Sequence, residues 1–151
     1  MLKIKVENAE KATVNGVRFA FAKDGMLLEK EHFQWTSFPL ETALKTNKVI
    51  SGLLQGWRQK VEFHTVEYHE DTENFFFFEG ECIMPFCDRN GEVPDMDTLQ
   101  FIRIRSGTQV EVKAGKCHYV PIPLTDTFRA YVFTPQQESV LLPLAERAEA
   151  E

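Results

Sequence analysis

The residues best suited to catalysis or ligand binding lie in two short segments of the chain. The first contains Glu67 and His69 and is followed by Asn74. Side chains two residues apart on a β-strand point to the same face, so Glu67 and His69 would project together. The second segment runs from Lys113 to Pro121 and includes His118. Two imidazoles that titrate near neutral pH suit acid–base chemistry.

The segments around these residues show a hydrophobic period of two, which predicts β-structure. Turn-forming pairs such as Asn15-Gly16 and Asp24-Gly25 separate them. Many short strands between such turns are typical of an all-β sandwich or barrel. The predicted strands are Leu2–Val6, Val17–Ala22, Lys48–Trp57, Val61–His69, Phe75–Phe86, Leu99–Arg105, Thr108–Lys113, His118–Ile122 and Phe128–Phe133.

One predicted strand changes character along its length. The odd positions of Val61–His69 begin with the apolar Val61 and Phe63 and end with the polar Glu67 and His69. A strand that lines a cup, with a packed floor and a polar rim, should show this gradient. We therefore expect a small-molecule cavity at the His69 end.

Four consecutive phenylalanines, Phe75 to Phe78, make both faces of the next strand apolar. A strand that is apolar on both faces must be covered on both, either by a second sheet in an ordinary sandwich or by another subunit. We expect Phe76 and Phe78 to form the floor of the cup. Phe75 and Phe77 would then face a second subunit of a homodimer.

The remaining segments give weaker helical signals. Pro135–Glu151 is the best helix candidate, although Pro143 interrupts its middle, and Phe33–Lys45 could hold one helical turn before Pro39 limits it. We therefore expect a short C-terminal helix packed beside the barrel.

Composition excludes several classes of function. The 151 residues fit a single domain, 1–151, and the net charge of −6 argues against binding of a nucleic-acid backbone. No apolar run approaches the roughly 20 residues of a membrane helix. The first residues lack the form of a signal peptide, so a cytoplasmic location is expected. Three cysteines without a CxxC pattern suit free thiols in a reducing compartment.

The spacing around the two histidines resembles the two motifs of the cupin superfamily. His69 is followed after four residues by Asn74 and after five more by Gly80, and a Gly-x2-His pattern ends at His118. The resemblance implies a double-stranded β-helix barrel, or jelly roll. Metal-binding members hold their ion with His and Glu side chains, and Glu67, His69 and His118 stand at such positions here. Asn74 stands where the carboxylate would be, and an amide oxygen is a poor transition-metal ligand.

A closer resemblance is to the ureidoglycolate lyase family, a cupin-fold group of allantoin (purine) breakdown. It covers Val66 to Val132, including Gly80-Glu81, the Pro94 to Leu99 segment and the Val110 to Pro121 stretch. The barrel motifs match best within 61–133, and we expect the strands of 1–58 to extend the sheets. Within the last motif Lys113, Ala114, Cys117 and Tyr119 replace the His, Arg, Trp and second His of the family.

This resemblance implies the cleavage of ureidoglycolate to glyoxylate and urea by metal-independent acid–base chemistry, with no cofactor. A base removes the hydroxyl proton, an acid protonates the urea nitrogen, and cations hold the substrate carboxylate. The implied catalytic residues are His69, His118, Lys113 and Tyr119. The implied substrate-binding residues are Glu67, Asn74, Arg103 and Arg105.

Two other functions stay open at this point. The chain could be a metal-binding cupin enzyme that holds its ion through Glu67, His69 and His118 and acts on another small carboxylate or sugar. It could also be a non-catalytic cupin that binds a small ligand, because a fold does not fix a function. Glu67 could equally serve in a structural ion pair, and one of Arg103 and Arg105 could lie on the surface. In each case the expected ligand is small and anionic, without nucleic-acid or membrane partners.

Overall fold

The computed structural model describes all 151 residues, and its regular structure is almost entirely β. The larger of two main sheets has the strand order β1-β17-β7-β14-β9-β12-β2, and β15 also pairs with β9. Its strands are β1 (Leu2–Ile4), β2 (Val6–Asn8), β7 (Glu62–Tyr68), β9 (Glu81–Cys87), β12 (Gln100–Arg105), β14 (Cys117–His118), β15 (Ile122–Pro123) and β17 (Val140–Ala150).

The second sheet has five strands in the order β3-β13-β8-β16-β6. These strands are β3 (Val17–Phe21), β6 (Ile50–Trp57), β8 (Glu73–Glu79), β13 (Thr108–Val112) and β16 (Thr127–Thr134). Two separate ribbons pair β4 (Met26–Glu29) with β5 (Gln34–Ser37), and β10 (Arg89–Asn90) with β11 (Val93–Pro94). The helical content is limited to short 3-10 turns at Ala22–Asp24 and Met96–Thr98.

The larger sheet curls until it nearly closes on itself. One end strand, β1, runs parallel to β17, and the other, β2, runs parallel to β12. Only Lys5 separates β1 from β2 along the chain, so this N-terminal segment links the two ends of the sheet. The predicted all-β barrel is confirmed. Within 1–58, β1 and β2 pair with β17 and β12 in this sheet, whereas β4 and β5 form a separate ribbon.

Two hydrophobic cores follow from this curvature. One lies between the two sheets and includes Phe75, Phe77, Met84 and Phe86. The other is enclosed by the larger sheet and includes Ile83 and residues from β1, β2, β7, β12 and β17. Alternate residues of β9 therefore enter different cores, and full burial of each large apolar side chain contributes about 1.5–3 kcal/mol.

The faces predicted for the phenylalanine run are wrong, because they are reversed. Phe75 and Phe77 are each 3% exposed in the core between the sheets, whereas Phe78 is 42% exposed. Phe76 and Phe78 lie on the outer face, where Phe78 stacks on Tyr131 at 4.8 Å between ring centroids. Because Phe75 and Phe77 are already covered by the opposite sheet, they cannot face a second subunit.

Glycine conformation explains why the long predicted strand Phe75–Phe86 is two strands. Gly80 has φ of +75°, a backbone conformation that L side chains rarely adopt, and it forms the turn between β8 and β9. The Cβ of any other residue at this position would also come within 2.7 Å of the Thr125 Oγ1 atom. The chain therefore crosses from one sheet to the other at Gly80.

The predicted C-terminal helix is also wrong. Residues Val140–Ala150 form strand β17, which pairs antiparallel with β7 and parallel with β1. Leu142, Leu144 and Ala148 are buried in the core of the larger sheet, and this burial outweighs the helix propensity of the Ala- and Glu-rich end. Pro143 is accommodated beside an irregularity in the β7–β17 pairing between Pro143 and Ala148.

The other predicted strands are found with modest shifts in their ends. The segment predicted as His118–Ile122 is divided into β14 and β15, and Phe33–Lys45 contains strand β5 instead of a helical turn. Phe63 packs against Phe101 in the second core, with 5.1 Å between ring centroids, and not on the floor of the cup. None of the helices is long and apolar enough to cross a membrane.

Candidate metal centre

Four ionisable side chains meet at the open end of the space between the two sheets. Glu67 on β7 lies directly opposite His118 on β14 in the antiparallel pairing, so both side chains point to the same face. His69 follows the end of β7. Glu73 begins β8 in the smaller sheet and shares its inward face with Phe75 two residues later. The cluster therefore joins residues from both sheets.

Glu67, His69 and His118 are placed to share one cation, because one ligand atom from each lies within 4.8 Å of the other two, and Glu73 lies beside this triad. Glu73 carboxylate oxygens lie 3.3 Å from Nε2 of His118 and 3.6 Å from Nε2 of His69. The Glu67 Oε1 atom lies 3.8 Å from the His69 Nε2 atom and 4.0 Å from that of His118. Zinc bonds to nitrogen and oxygen of about 2.0–2.2 Å place neighbouring tetrahedral ligands roughly 3.4 Å apart. The Glu73 distances are close to this spacing, whereas the Glu67 distances are a few tenths of an ångström longer.

Backbone hydrogen bonds orient both imidazoles. The His69 Nδ1 atom is 3.2 Å from the carbonyl oxygen of Glu138, and the His118 Nδ1 atom is 3.0 Å from that of Lys116. A carbonyl can only accept, so each Nδ1 carries a proton and donates it. Each neutral ring then directs the lone pair of its Nε2 atom into the cluster. Metal-bound histidines are commonly held in this way.

Neither Nε2 atom has a hydrogen-bond partner, although both are buried. Two carboxylates face these two lone pairs, so all four groups present acceptors to one another. Buried acceptors without donors are costly unless a proton or a metal ion lies between them. The donor set of two imidazoles and two carboxylates therefore fits a divalent cation.

Electrostatic coupling across the cluster is visible in two pKa shifts. Burial favours the neutral form of Glu73, but the hydrogen bond and charge of His118 outweigh burial and lower the pKa of the Glu73 carboxyl. Burial likewise opposes protonation of His118, but Glu73 and the Lys116 carbonyl outweigh it and raise the pKa of the imidazole. When His118 is protonated its Nε2–H can donate to Glu73, so a proton in this contact is the alternative to a metal ion.

A cavity of about 280 Å³ opens beside the four side chains. Apolar side chains from Leu54, Phe75 and Val132 line it, and Thr134 and the loop after β16 form its polar wall. Gln137 fixes this loop, because its amide donates to Thr134 and its side-chain oxygen accepts from the backbone N–H of Asp71. The full lining is Ile50, Leu54, Glu67, His69, Glu73, Phe75, His118, Tyr119, Val120, Val132, Thr134, Pro135, Gln136, Gln137 and Ser139.

Half of the predicted site residues meet at this cavity. His69, His118, Glu67 and Tyr119 all line it. The predicted role of Asn74 in the pocket is wrong. Asn74 points to the outer face of the smaller sheet, where its amide donates to the Thr42 hydroxyl and its oxygen accepts from Gln109.

The three predicted cations also lie outside the cavity. Arg103 and Arg105 pair with Glu81, at the opposite end of β9 from the β14 pairing, so their predicted contact with the substrate is wrong. Lys113 is exposed in the turn after β13 and does not line the cavity. The sequence analysis expected lysine and arginine side chains to hold an anionic ligand in the pocket. That expectation is wrong, because no Lys or Arg lines the cavity.

Glu73 is the principal site residue that the sequence analysis missed. The signal was present, because Glu73 lies four positions after His69 and has the same parity as Phe75 and Phe77. The reversed assignment of the phenylalanine faces placed Asn74 inward and Glu73 outward. The loop at 135–139 was missed for a different reason, since the predicted helix covered it.

Structural comparison identifies the architecture around this site as a cupin fold. The structure of RmlC from Streptococcus suis in complex with dTDP-D-xylose matches with a TM-score of 0.53 and 10% identity, over 80% of this chain and 65% of that chain. A serine-to-alanine mutant of Bacillus subtilis oxalate decarboxylase matches with a TM-score of 0.46 and 14% identity, over 82% of this chain and 31% of that chain.

These similarities concern the fold. The chain spans less than two thirds of the length of either protein. No protein-family model matches the sequence, and no curated protein matches it. Function must therefore be argued from the site itself.

Proposed function

We propose that this chain is a cupin enzyme that holds a divalent transition-metal ion through Glu67, His69, Glu73 and His118 and acts on a small carboxylate. The observation that carries the proposal is the pair of buried Nε2 atoms without partners, aimed at two carboxylates. A mixed set of imidazole and carboxylate ligands suits manganese, iron, nickel or zinc, whereas calcium and magnesium prefer oxygen ligands alone.

The negative charge of the cavity supports a bound metal ion as the group that holds an anionic substrate. Glu67 and Glu73 carry the only formal charges of the lining when both histidines are neutral. A substrate carboxylate would be repelled by these two anions, and no Lys or Arg offsets them. A bound divalent ion neutralises the carboxylates and, as a Lewis acid, polarises an oxygen of the substrate.

The chain's own residues would position the substrate and move protons. Thr134, Gln136 and Ser139 form the polar side of the cavity, and Tyr119 also lines it while packing against the second core. Leu54, Phe75 and Val132 cover the opposite side and limit the access of water. A cavity of about 280 Å³ suits a molecule of a few carbon atoms.

The ureidoglycolate lyase reaction is the specific chemistry that we propose to test first. In this reaction a base takes the hydroxyl proton, the oxygen electrons form the aldehyde of glyoxylate, and the C–N bond breaks as urea takes a proton. In the metal-free chain the Glu73–His118 pair, at 3.3 Å, can accept and return that proton within the cavity, whereas in the metal-loaded chain both groups would be ligands and would not serve as the base. Gln136 and Ser139 can hydrogen-bond the urea group.

Metal binding is tested by elemental analysis and calorimetric titration of the purified protein with Mn²⁺, Fe²⁺, Ni²⁺ and Zn²⁺. We expect one ion per chain, and at least a hundredfold weaker binding for His69→Ala and His118→Ala. His64→Ala is the matched control, because His64 is exposed on β7 and lies outside the cavity. Absence of stoichiometric binding by the folded wild type would refute the metal proposal.

Catalysis is tested by glyoxylate release from ureidoglycolate, with the metal-loaded and chelator-treated protein compared. We expect release by the loaded wild type and none by His69→Ala. Binding of a metal without glyoxylate release would reject this substrate and leave other small carboxylates, which a thermal-shift series can identify. Equal release with and without metal would instead support the metal-independent mechanism implied by the sequence.

A further inference from the structure

A two-stranded ribbon, β4–β5, projects from the barrel with an uncovered apolar face. Met26 pairs with Ser37 and Leu28 pairs with Trp35, so Met26, Leu28 and Trp35 share one face. Their exposures are 79%, 45% and 62%. The opposite face carries Leu27 and Thr36 beside the polar pair of Glu29 and Gln34, which are hydrogen-bonded to each other.

This distribution is typical of a ribbon that rests on an apolar surface. Antiparallel strands with one face buried concentrate apolar residues on that face, as Met26, Leu28 and Trp35 do here, although the opposite face also carries Leu27. An isolated two-stranded hairpin is marginally stable in water, and a hydrophobic face needs a surface beneath it. The chain itself supplies no cover, since Met26 and Trp35 remain mostly exposed.

A second uncovered apolar surface lies on the outer face of the five-stranded sheet. Tyr131 on β16 faces outward beside Leu53 on β6, and the Phe78 ring stacks on Tyr131. Phe133 and Trp57 share this outward parity. The exposures of Leu53, Trp57, Phe78, Tyr131 and Phe133 range from 42% to 69%. The segment that follows β5 covers only the neighbouring part of the sheet, where Phe38 packs on Phe76 and Thr42 bonds Asn74.

We propose that a second copy of this chain covers both surfaces in a reciprocal dimer. The apolar face of each β4–β5 ribbon packs on the outer face of the five-stranded sheet of the other copy. Each chain carries one ribbon and one matching face, so a two-fold axis satisfies both contacts at once.

The exposed area agrees with a stable dimer. Large apolar side chains present roughly 200 Å² when fully exposed. The ribbon face with Phe33 in its turn and the five side chains of the sheet face are about half exposed, leaving about 1,000 Å² per copy. A pair would bury about 2,000 Å², compared with about 1,600 Å² for a standard specific interface. Each of the two surfaces alone presents about 500 Å², which lies at the upper end of the roughly 300–600 Å² of the largest apolar patch on a typical monomer, and patches of this size often bind a partner.

The test combines sedimentation velocity with tryptophan fluorescence across a dilution series. The chain has two tryptophans, Trp35 on the ribbon and Trp57 on the sheet face, and both lie in the proposed interface. We expect a dimer with blue-shifted emission that dissociates on dilution to a monomer with red-shifted emission. A monomer at every concentration would overturn the proposal, and buried tryptophans in that monomer would indicate that the ribbon folds onto its own sheet.

Two variants locate the interface, and a third is the control. Trp35→Lys on the ribbon and Tyr131→Lys on the sheet should each raise the dimer dissociation constant at least about thirtyfold. Val93→Lys introduces the same charge at an exposed valine on the β10–β11 ribbon and should remain dimeric. Circular dichroism establishes that each variant is folded. A dimer that survives both interface substitutions would overturn the proposal.

Mixing the two interface variants distinguishes reciprocal packing from other arrangements. In a mixed dimer one ribbon–face contact carries both substitutions, whereas the other contact is wild type on both sides. We therefore expect equimolar Trp35→Lys and Tyr131→Lys to form a heterodimer at high concentration, where neither variant dimerises alone. Failure to form this heterodimer would overturn the reciprocal arrangement.

Discussion

The Oε1 atom of Glu73 lies 3.3 Å from the Nε2 atom of His118, although the two residues belong to strands of different sheets. Glu73 is held by β8, whose next inward residues, Phe75 and Phe77, are fixed in the core between the sheets. His118 is held by its pairing with Glu67 and by the hydrogen bond from its Nδ1 atom to the Lys116 carbonyl. The site therefore depends on the packing of one sheet against the other.

Replacement of Glu73 should weaken metal binding far more than replacement of its neighbour. Glu73→Gln removes a charged ligand and should lower metal affinity at least about tenfold, measured by calorimetric titration. Asn74→Ala should leave affinity unchanged but reduce stability by about 1–3 kcal/mol, because it removes buried hydrogen bonds to Thr42 and Gln109. If Asn74→Ala lowered metal affinity and Glu73→Gln did not, Asn74 would be the site residue and the assignment of Glu73 would be contradicted.

The phenylalanine run should show opposite sensitivities at adjacent positions. Phe77→Ala leaves a cavity in the core and should cost about 3–5 kcal/mol in urea unfolding. Phe78→Ala should cost less than about 1.5 kcal/mol at a concentration where the chain is monomeric, because Phe78 is 42% exposed and stacks only at the surface. Equal losses at the two positions would contradict the observed faces.

Gly80 should tolerate no side chain. Gly80→Ala combines a φ of +75° with overlap between the new Cβ and the Thr127 carbonyl oxygen, so we expect a loss above about 2 kcal/mol. Gly91→Ala is the matched control, because Gly91 has φ of +61° but open space around its Cβ position. Its loss should be limited to roughly 1–2 kcal/mol of backbone strain. If chemical denaturation gave the same loss for both variants, steric overlap at Gly80 would not be the cause.

The free energy of unfolding should decrease in acid, in part because the Glu149 carboxylate becomes protonated. Hydrogen bonds from Lys3 and Lys60 lower the pKa of this carboxyl from an ordinary 4.5 to about 2. A lowered pKa in the folded state contributes stability above pH 4.5 that is lost as the pH falls towards 2. Glu149→Gln should therefore be less stable than wild type at pH 7, with a difference that narrows below pH 4.5.

Urea unfolding between pH 7 and pH 3 would measure this difference. Glu92→Gln provides the control, since Glu92 is exposed and should show no pH-dependent difference from wild type. A Glu149→Gln curve parallel to that of the wild type would exclude the ion pairs with Lys3 and Lys60 as the cause.

The sequence by itself determined the β-architecture and the position of three of the four ionisable residues. The alternation of apolar and polar residues and the positions of turn residues are short-range signals. Most strands, and the motif from His69 to Gly80, could therefore be found from them. The two-residue spacing of Glu67 and His69 was enough to place them on one face, and the Gly-x2-His pattern was enough to single out His118.

Only the tertiary structure decided which face of the phenylalanine run is inside. Between Phe75 and Phe78 the odd-numbered and the even-numbered residues are both apolar, so the sequence pattern does not indicate which set faces the core. A shift of one residue in strand register moves every side chain to the other face of the sheet. Pairing with β13 and β16 resolved this choice and placed Glu73 in the site. Arg103, Arg105 and Lys113 were misplaced for a related reason, since sequence order does not reveal which end of a strand lies at the cavity. The C-terminal segment became a strand because β7 and β1 offered it hydrogen-bonding partners, which local helix propensity does not describe.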